Sequence, residues 1–174
     1  MNKRTAEPFF LNDYRLITLI LILALFLIGC GGTGDTAGPP EIRYGEDVCD
    51  QCNMIINEPR FAAAYVTESG ETRRFDDLGE MFLYAHEKDE AVRAFWVHDL
   101  HSEEWLEADG ASFVHNPELI TPMGWGIAAF GAQGDAETYQ EENGGTLLTY
   151  TQFQDQVLSG ELQPQRMGAH DDHE

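Results

Sequence analysis

Between Phe61 and Tyr150 the sequence reads twice as strand, strand, helix, strand, and that rhythm limits the fold more than any other feature. In the first pass, Phe61–Val66 is an apolar strand, Ser69-Gly70 a turn, and Glu71–Phe75 an alternating strand of the half-buried kind. Asp76 or Asp77 then caps a helix, whose apolar positions Leu78, Met81, Phe82 and Ala85 recur at helical spacing. Arg93–His98 closes the pass as a strand. In the second pass Trp105-Leu106, Ser112–His115 and Gly126–Phe130 are extended, and Asp135–Glu142 is helical with Ala136 and Tyr139 on one face. Gly144-Gly145 stops that helix, and Thr146–Tyr150 is the closing strand. Phe75 and Phe130, each ending a strand ahead of a helix, stand 55 residues apart. The expected class is α+β, with two small ββαβ-type units packed together.

Ahead of these units lies an export signal. Lys3, Arg4 and Arg15 precede an apolar stretch from Leu16 to Ile28. That is about a dozen residues, the length of a signal-peptide core, whereas a spanning helix needs roughly twenty. The stretch ends in Leu27-Ile28-Gly29-Cys30, which resembles a bacterial lipobox and implies that Cys30 is lipidated and opens the mature chain. One acyl chain alone binds marginally, so the additional chains of such a modification anchor the protein stably. Gly31 follows Cys30 where an Asp would retain the protein at the inner membrane, so sorting to the outer membrane of a two-membrane host is permitted. The expected place is the cell envelope, lipid-anchored on the periplasmic or extracytoplasmic side. The organisation read from the chain is a signal peptide over 1–29, a lipidated Cys and flexible linker over 30–44, one unit over 45–100, a second over 101–162, and a disordered acidic and His-bearing tail over 163–174.

The formal net charge is −21, and past the signal the only lysine is Lys88. Nucleic acid, which needs a basic patch, is excluded. The acidity suits cationic partners or plain solubility in a salty medium.

The chemistry concentrates in Cys49-Asp50-Gln51-Cys52-Asn53-Met54, two thiols and a thioether within six residues. Soft sulfur donors suit Cu(I) and disfavour Mg or Ca. A thiolate gives affinity and a thioether gives an exchangeable bond, a mixture that suits a carrier. Cys52 and Met54 lie two apart, so an extended segment would point both to one side. Met123, in Thr121-Pro122-Met123-Gly124-Trp125-Gly126, sits on a loop fixed by Pro and Gly and is a candidate remote ligand. Other readings stay open. The pair could be half of a zinc site, which would need a second pair such as His98 and His101. It could be an exported thiol-disulfide oxidoreductase using Cys49 and Cys52, although such a pair belongs at a helix start after a strand. It could be a plain disulfide in a structural lipoprotein. Met54 and Met123 could be core filler, and Asp76 or Asp77 could face a metal. His115 could join a second site, His86 suits a helix end, and His170 and His173 could capture metal loosely.

In order along the chain, Cys52-Asn53-Met54-Ile55, Phe75-Asp76-Asp77, Trp96-Val97-His98-Asp99 and Pro122-Met123-Gly124 resemble the NosL family, lipoproteins encoded with nitrous oxide reductase. The resemblance runs from Cys49 to Phe153. It implies a Cu(I) chaperone, without catalysis of its own, that helps load the copper centre of nitrous oxide reductase together with an ABC-type membrane complex. It also implies two ββαβ-type units. The family's donors carry over to Cys52, Met54 and Met123, with Cys49 an extra thiol that could be a further ligand or let the site oxidise. Asn53 stands where Gly is common in the family. A second metal ion such as zinc is compatible with this reading.

Overall fold

A computed structural model describes residues 38–165, so the lipobox, Cys30, the tether through residue 37 and the tail from 166 onward lie outside the described residues. Seven strands and three helices follow in order: β1 Ala63–Thr67, β2 Thr72–Phe75, α1 Leu78–Glu87, β3 Val92–His98, β4 Trp105–Glu107, β5 Ser112–His115, β6 Ile127–Phe130, α2 Gln133–Asn143, β7 Thr146–Thr149 and α3 Tyr150–Ser159. Among these residues no helix is long and apolar enough to cross a membrane.

The double rhythm is a repeat of topology. The two antiparallel sheets have the orders β2-β1-β3-β4 and β6-β5-β7, so the first strand of each pass is central and its second and third flank it. β1 can be central because every residue of Ala63–Thr67 is buried, as a strand covered on both faces requires. Leu78, Met81, Phe82 and Ala85 all turn inward from α1.

Two elements differ from the sequence reading. Trp105-Leu106 was expected in the second unit, yet β4 pairs with β3 in the first sheet, Val97 opposite Leu106. The turn decides this. Asp99 Oδ1 accepts the N–H groups of His101 and Ser102, Glu103 adopts φ 58°, and the chain returns beside β3 with the Trp105 ring tilted over that of His98, their centroids 3.7 Å apart. Tyr150 is not the end of a strand but the first residue of α3. Thr149 and Gln152 form a reciprocal capping box there, and Phe153 and Val157 bury one stripe. Gln165, expected in the tail, donates its N–H to the Gly124 carbonyl at 2.8 Å.

Both sheets contribute to one large core, while Val114, Ala128, Phe130 and Ala136 form a smaller cluster between the second sheet and α2. Phe82 of α1 meets Phe153 of α3 at 5.0 Å between ring centroids, and Phe153 meets Phe113 of β5 at 4.9 Å. Such tilted aromatic pairs contribute beyond their burial. Two buried carboxylates then lock the second unit to the first. Asp99 Oδ2 accepts Gly131 N–H at 2.8 Å, just past β6. Asp77 Oδ2 accepts Thr121 Oγ1–H at 2.5 Å, Met123 N–H at 3.1 Å and Trp125 N–H at 3.4 Å. Asp77 is therefore at the N-cap position of α1 without capping it, because the 121–125 loop offers its carboxylate three donors. Close against it, Trp125 packs so tightly on Gly79 that a Cβ there would lie 2.0 Å from the ring.

That contact makes Gly79→Ala informative in sign. In an open helix the change would stabilise by about 1 kcal/mol; here overpacking should destabilise by about 1–3 kcal/mol, read as a lowered urea midpoint. An unchanged or raised midpoint would show that the Trp125 contact is not tight. Asp77 gives a pH signature. Burial pushes its carboxyl up to about 7, against the pull of its three hydrogen bonds. The folded state thus holds this proton more tightly than the unfolded chain. Its contribution is complete below about pH 4 and lost as pH rises through about 7. Between pH 5 and 8 the parent should lose of order 2 kcal/mol relative to Asp77→Asn in urea melts; parallel pH profiles would refute this.

Candidate metal centre

The cysteines lie on a small hairpin ahead of β1, closed by the Val48–Ile55 bridge. Cys49 N–H donates to the Met54 carbonyl at 2.8 Å, and Asn53 N–H donates to the Cys49 carbonyl at 3.1 Å. Residues 49–53 are therefore a tight turn and not an extended segment, so the pleat argument for Cys52 and Met54 does not apply. The turn needs a left-handed residue, and Asn53 supplies it at φ 61°. Gly and Asn are the residues that occupy this region most readily, which is why Asn can stand where the resembled family commonly has Gly. Asp50 moors the turn to the sheet edge: its N–H donates to the Arg74 carbonyl at 2.8 Å, and its Oδ2 accepts Arg74 N–H at 2.7 Å.

Both cysteines are free. Cys49 is 1% exposed, while Cys52 is half-buried. The structure adds a third group that the sequence reading missed. Glu80, in the first turn of α1, is 3% exposed, and its Oε2 accepts the Cys49 thiol at 3.1 Å. The two sulfurs and a Glu80 carboxylate oxygen lie within 4.8 Å of one another. Cys52 N–H in turn donates to Cys49 Sγ at 3.3 Å. The available signal for Glu80 was three acids within 76–80, more than a helix start needs. Burial pushes both thiols above the usual range, and burial likewise raises Glu80, whose bonds to the thiols only moderate the effect.

Met54 leaves the turn 51% exposed. Met123 is half-buried against the same core as Cys52, on the loop that Asp77 clamps. Asp77, the N-cap residue, and Glu80, in the first turn, stand three residues apart at the start of α1. One turn of α1 thereby holds the methionine loop by one carboxylate and the thiol turn by the other. Asp76 is also buried; its Oδ1 and that of Asp77 have no partner among the described residues. Burial raises Asp76 as well.

His98 is committed elsewhere. Burial lowers the His98 pKa, leaving a neutral ring. Its Nδ1–H donates to the Glu103 carbonyl at 2.7 Å, and Nε2 accepts the Tyr44 hydroxyl at 2.8 Å. With both nitrogens engaged, His98 does not pair with His101, which lies edge-on to Phe130. His115 is half-buried on β5, and His86 is exposed in the last turn of α1.

The donor set is soft and sulfur-rich with one hard oxygen, a chemistry that fits Cu(I) better than Mg or Ca. The comparisons with known proteins agree in direction. The chain is 24% identical over 165 residues to a protein named as the copper-binding lipoprotein NosL of Stutzerimonas stutzeri, covering 88% of this chain and 87% of that one. Its fold matches the crystal structure of the copper chaperone NosL from Shewanella denitrificans with a TM-score of 0.57 at 22% identity, over 64% of this chain and 92% of that chain. The sequence profile of the NosL family matches residues 42–158, nearly all of the two-sheet body, and the chain belongs to the NosL family.

Proposed function

We propose that this protein is a Cu(I) chaperone of the cell envelope, anchored through lipid on Cys30, that takes part in loading the copper centre of nitrous oxide reductase with an ABC-type membrane complex. The observation that carries the reading is the Cys49–Met54 turn, where the half-buried Cys52 thiol and the exposed Met54 thioether lie beside the buried thiol of Cys49, with neither cysteine in a disulfide. Cys52, Met54 and Met123 supply the donors, and Cys49 lies beside them as a second thiol. The relatives named as a copper-binding lipoprotein and a copper chaperone support the cargo and the anchor.

Transfer is then ligand exchange with no covalent catalysis. Cys52 binds as thiolate, and the thioethers complete a low-coordinate site that a client can take over. Apolar exposure favours a docking client at this end. Val48, Met54 and Ile55 on the hairpin and Ile120 beside the methionine loop are 47–84% exposed, an arrangement that marks interaction surfaces. The redox alternative is disfavoured by the site's chemistry. A catalytic pair lowers its nucleophilic thiol, whereas burial raises both thiols here, and the pair does not open a helix.

An anaerobic Cu(I) titration of the reduced chain from Gly31 onward, against a competing chelator, tests this. Binding near one-to-one is expected. Cys52→Ser should weaken it by more than about a hundredfold, beyond the loss of an outer-sphere partner, and Met123→Ala should weaken it measurably with the fold intact. No uptake with both thiols confirmed free, or parent-like affinity in Cys52→Ser, would refute the reading.

A further inference from the structure

The two thiols are not equivalent. Cys49 is 1% exposed, and its sulfur is used twice: it donates to Glu80 Oε2 at 3.1 Å and accepts Cys52 N–H at 3.3 Å. Cys52 is half-buried and lies nearer the surface. Glu80 itself is buried, and no Lys or Arg pairs with it among the described residues. We propose that Glu80 is a positioning residue: by accepting the Cys49 thiol it turns that sulfur away from copper, so that Cys52 is the thiolate donor and Cys49 a structural strut of the turn.

This rests on the copper reading above and refines its ligand set. The geometry separates the two sulfurs: that of Cys49 is buried and already holds two hydrogen bonds, whereas Cys52 lies nearer the surface and gives up its proton to solvent as Cu(I) binds. A single-thiolate site also holds its cargo less tightly than a dithiolate and releases it sooner, which a carrier needs. Glu80 therefore sets the balance between holding and release without touching the metal.

The test uses the full chain in detergent, reduced and loaded with one equivalent of Cu(I). Affinity and the rate of copper loss to a chelator are measured for the parent, Cys49→Ser, Cys52→Ser, Glu80→Gln and Glu80→Ala. A serine at 49 can keep both hydrogen bonds, so Cys49→Ser should stay within about threefold of the parent while Cys52→Ser loses tight binding. Glu80→Gln, whose amide oxygen still accepts the thiol, should resemble the parent. Glu80→Ala should free Cys49 to join, tightening binding by about tenfold or more and slowing release. The double variant Cys49→Ser, Glu80→Ala should reverse this, which a merely structural role for Glu80 would not produce. If Cys49→Ser weakens binding as much as Cys52→Ser, or if folded Glu80→Ala matches the parent, the proposal is overturned while the copper reading stands. Should Glu80→Ala fail to fold, the comparison of the two serine variants decides. No copper uptake by the parent would remove both readings.

Discussion

Everything at the site depends on the first turn of α1 and on its two inward carboxylates. Asp77 gathers Thr121, Met123 and Trp125 with one oxygen, and Glu80 gathers Cys49. Only Leu78 and Gly79, the first residues of the helix, lie between these acids, so the separation of the methionine loop from the thiol turn is set by a rigid element and not by either loop. Gly79 lies between them and has no side chain because Trp125 fills that space. The clamp thus combines hydrogen bonds, which set direction, with packing, which sets distance. Burying acids without a counter-charge is costly, and that burial raises the pKa of both groups.

The same economy explains how the two units relate. Each ββαβ unit is too small to bury a full core, and both contribute aromatic rings to one shared interior through Phe82, Phe153 and Phe113. Asp99 fastens the second sheet at Gly131, while Asp77 fastens its long loop. Both acids occur in the short motifs that mark the family resemblance, Phe75-Asp76-Asp77 and Trp96-Val97-His98-Asp99. Their hydrogen bonds give these motifs a structural cause: they hold one unit in register with the other.

Much of this was legible in the chain. The strands, the turn at Ser69-Gly70, the inward face of α1 and the double rhythm follow from period and turn chemistry, which are local. β4 was assigned to the wrong sheet because pairing depends on the Asp99 turn, whose carboxylate contacts cannot be read from hydropathy. α3 was missed although Thr149 and Gln152 spell its capping box, because β7 runs directly into it and the strand reading extends through Tyr150. The thiols and both methionines were visible as residue types; Glu80 was hidden, because its role arises only when α1 folds back onto the hairpin. Capping is the commonest use of an Asp at 76 or 77, and at Asp77 long-range donors displace that use.

In the copper reading proposed above, two segments far apart in sequence, the Cys49–Met54 turn and the loop holding Met123, meet at one copper ion through the start of α1. X-ray absorption at the copper edge of the Cu(I)-loaded parent beside Met123→Ala tests it most directly. A sulfur shell of short thiolate and longer thioether bonds is expected in the parent, with one thioether lost in the variant and the thiolate kept. Identical sulfur shells in the two proteins would contradict it and would confine the metal to the hairpin alone.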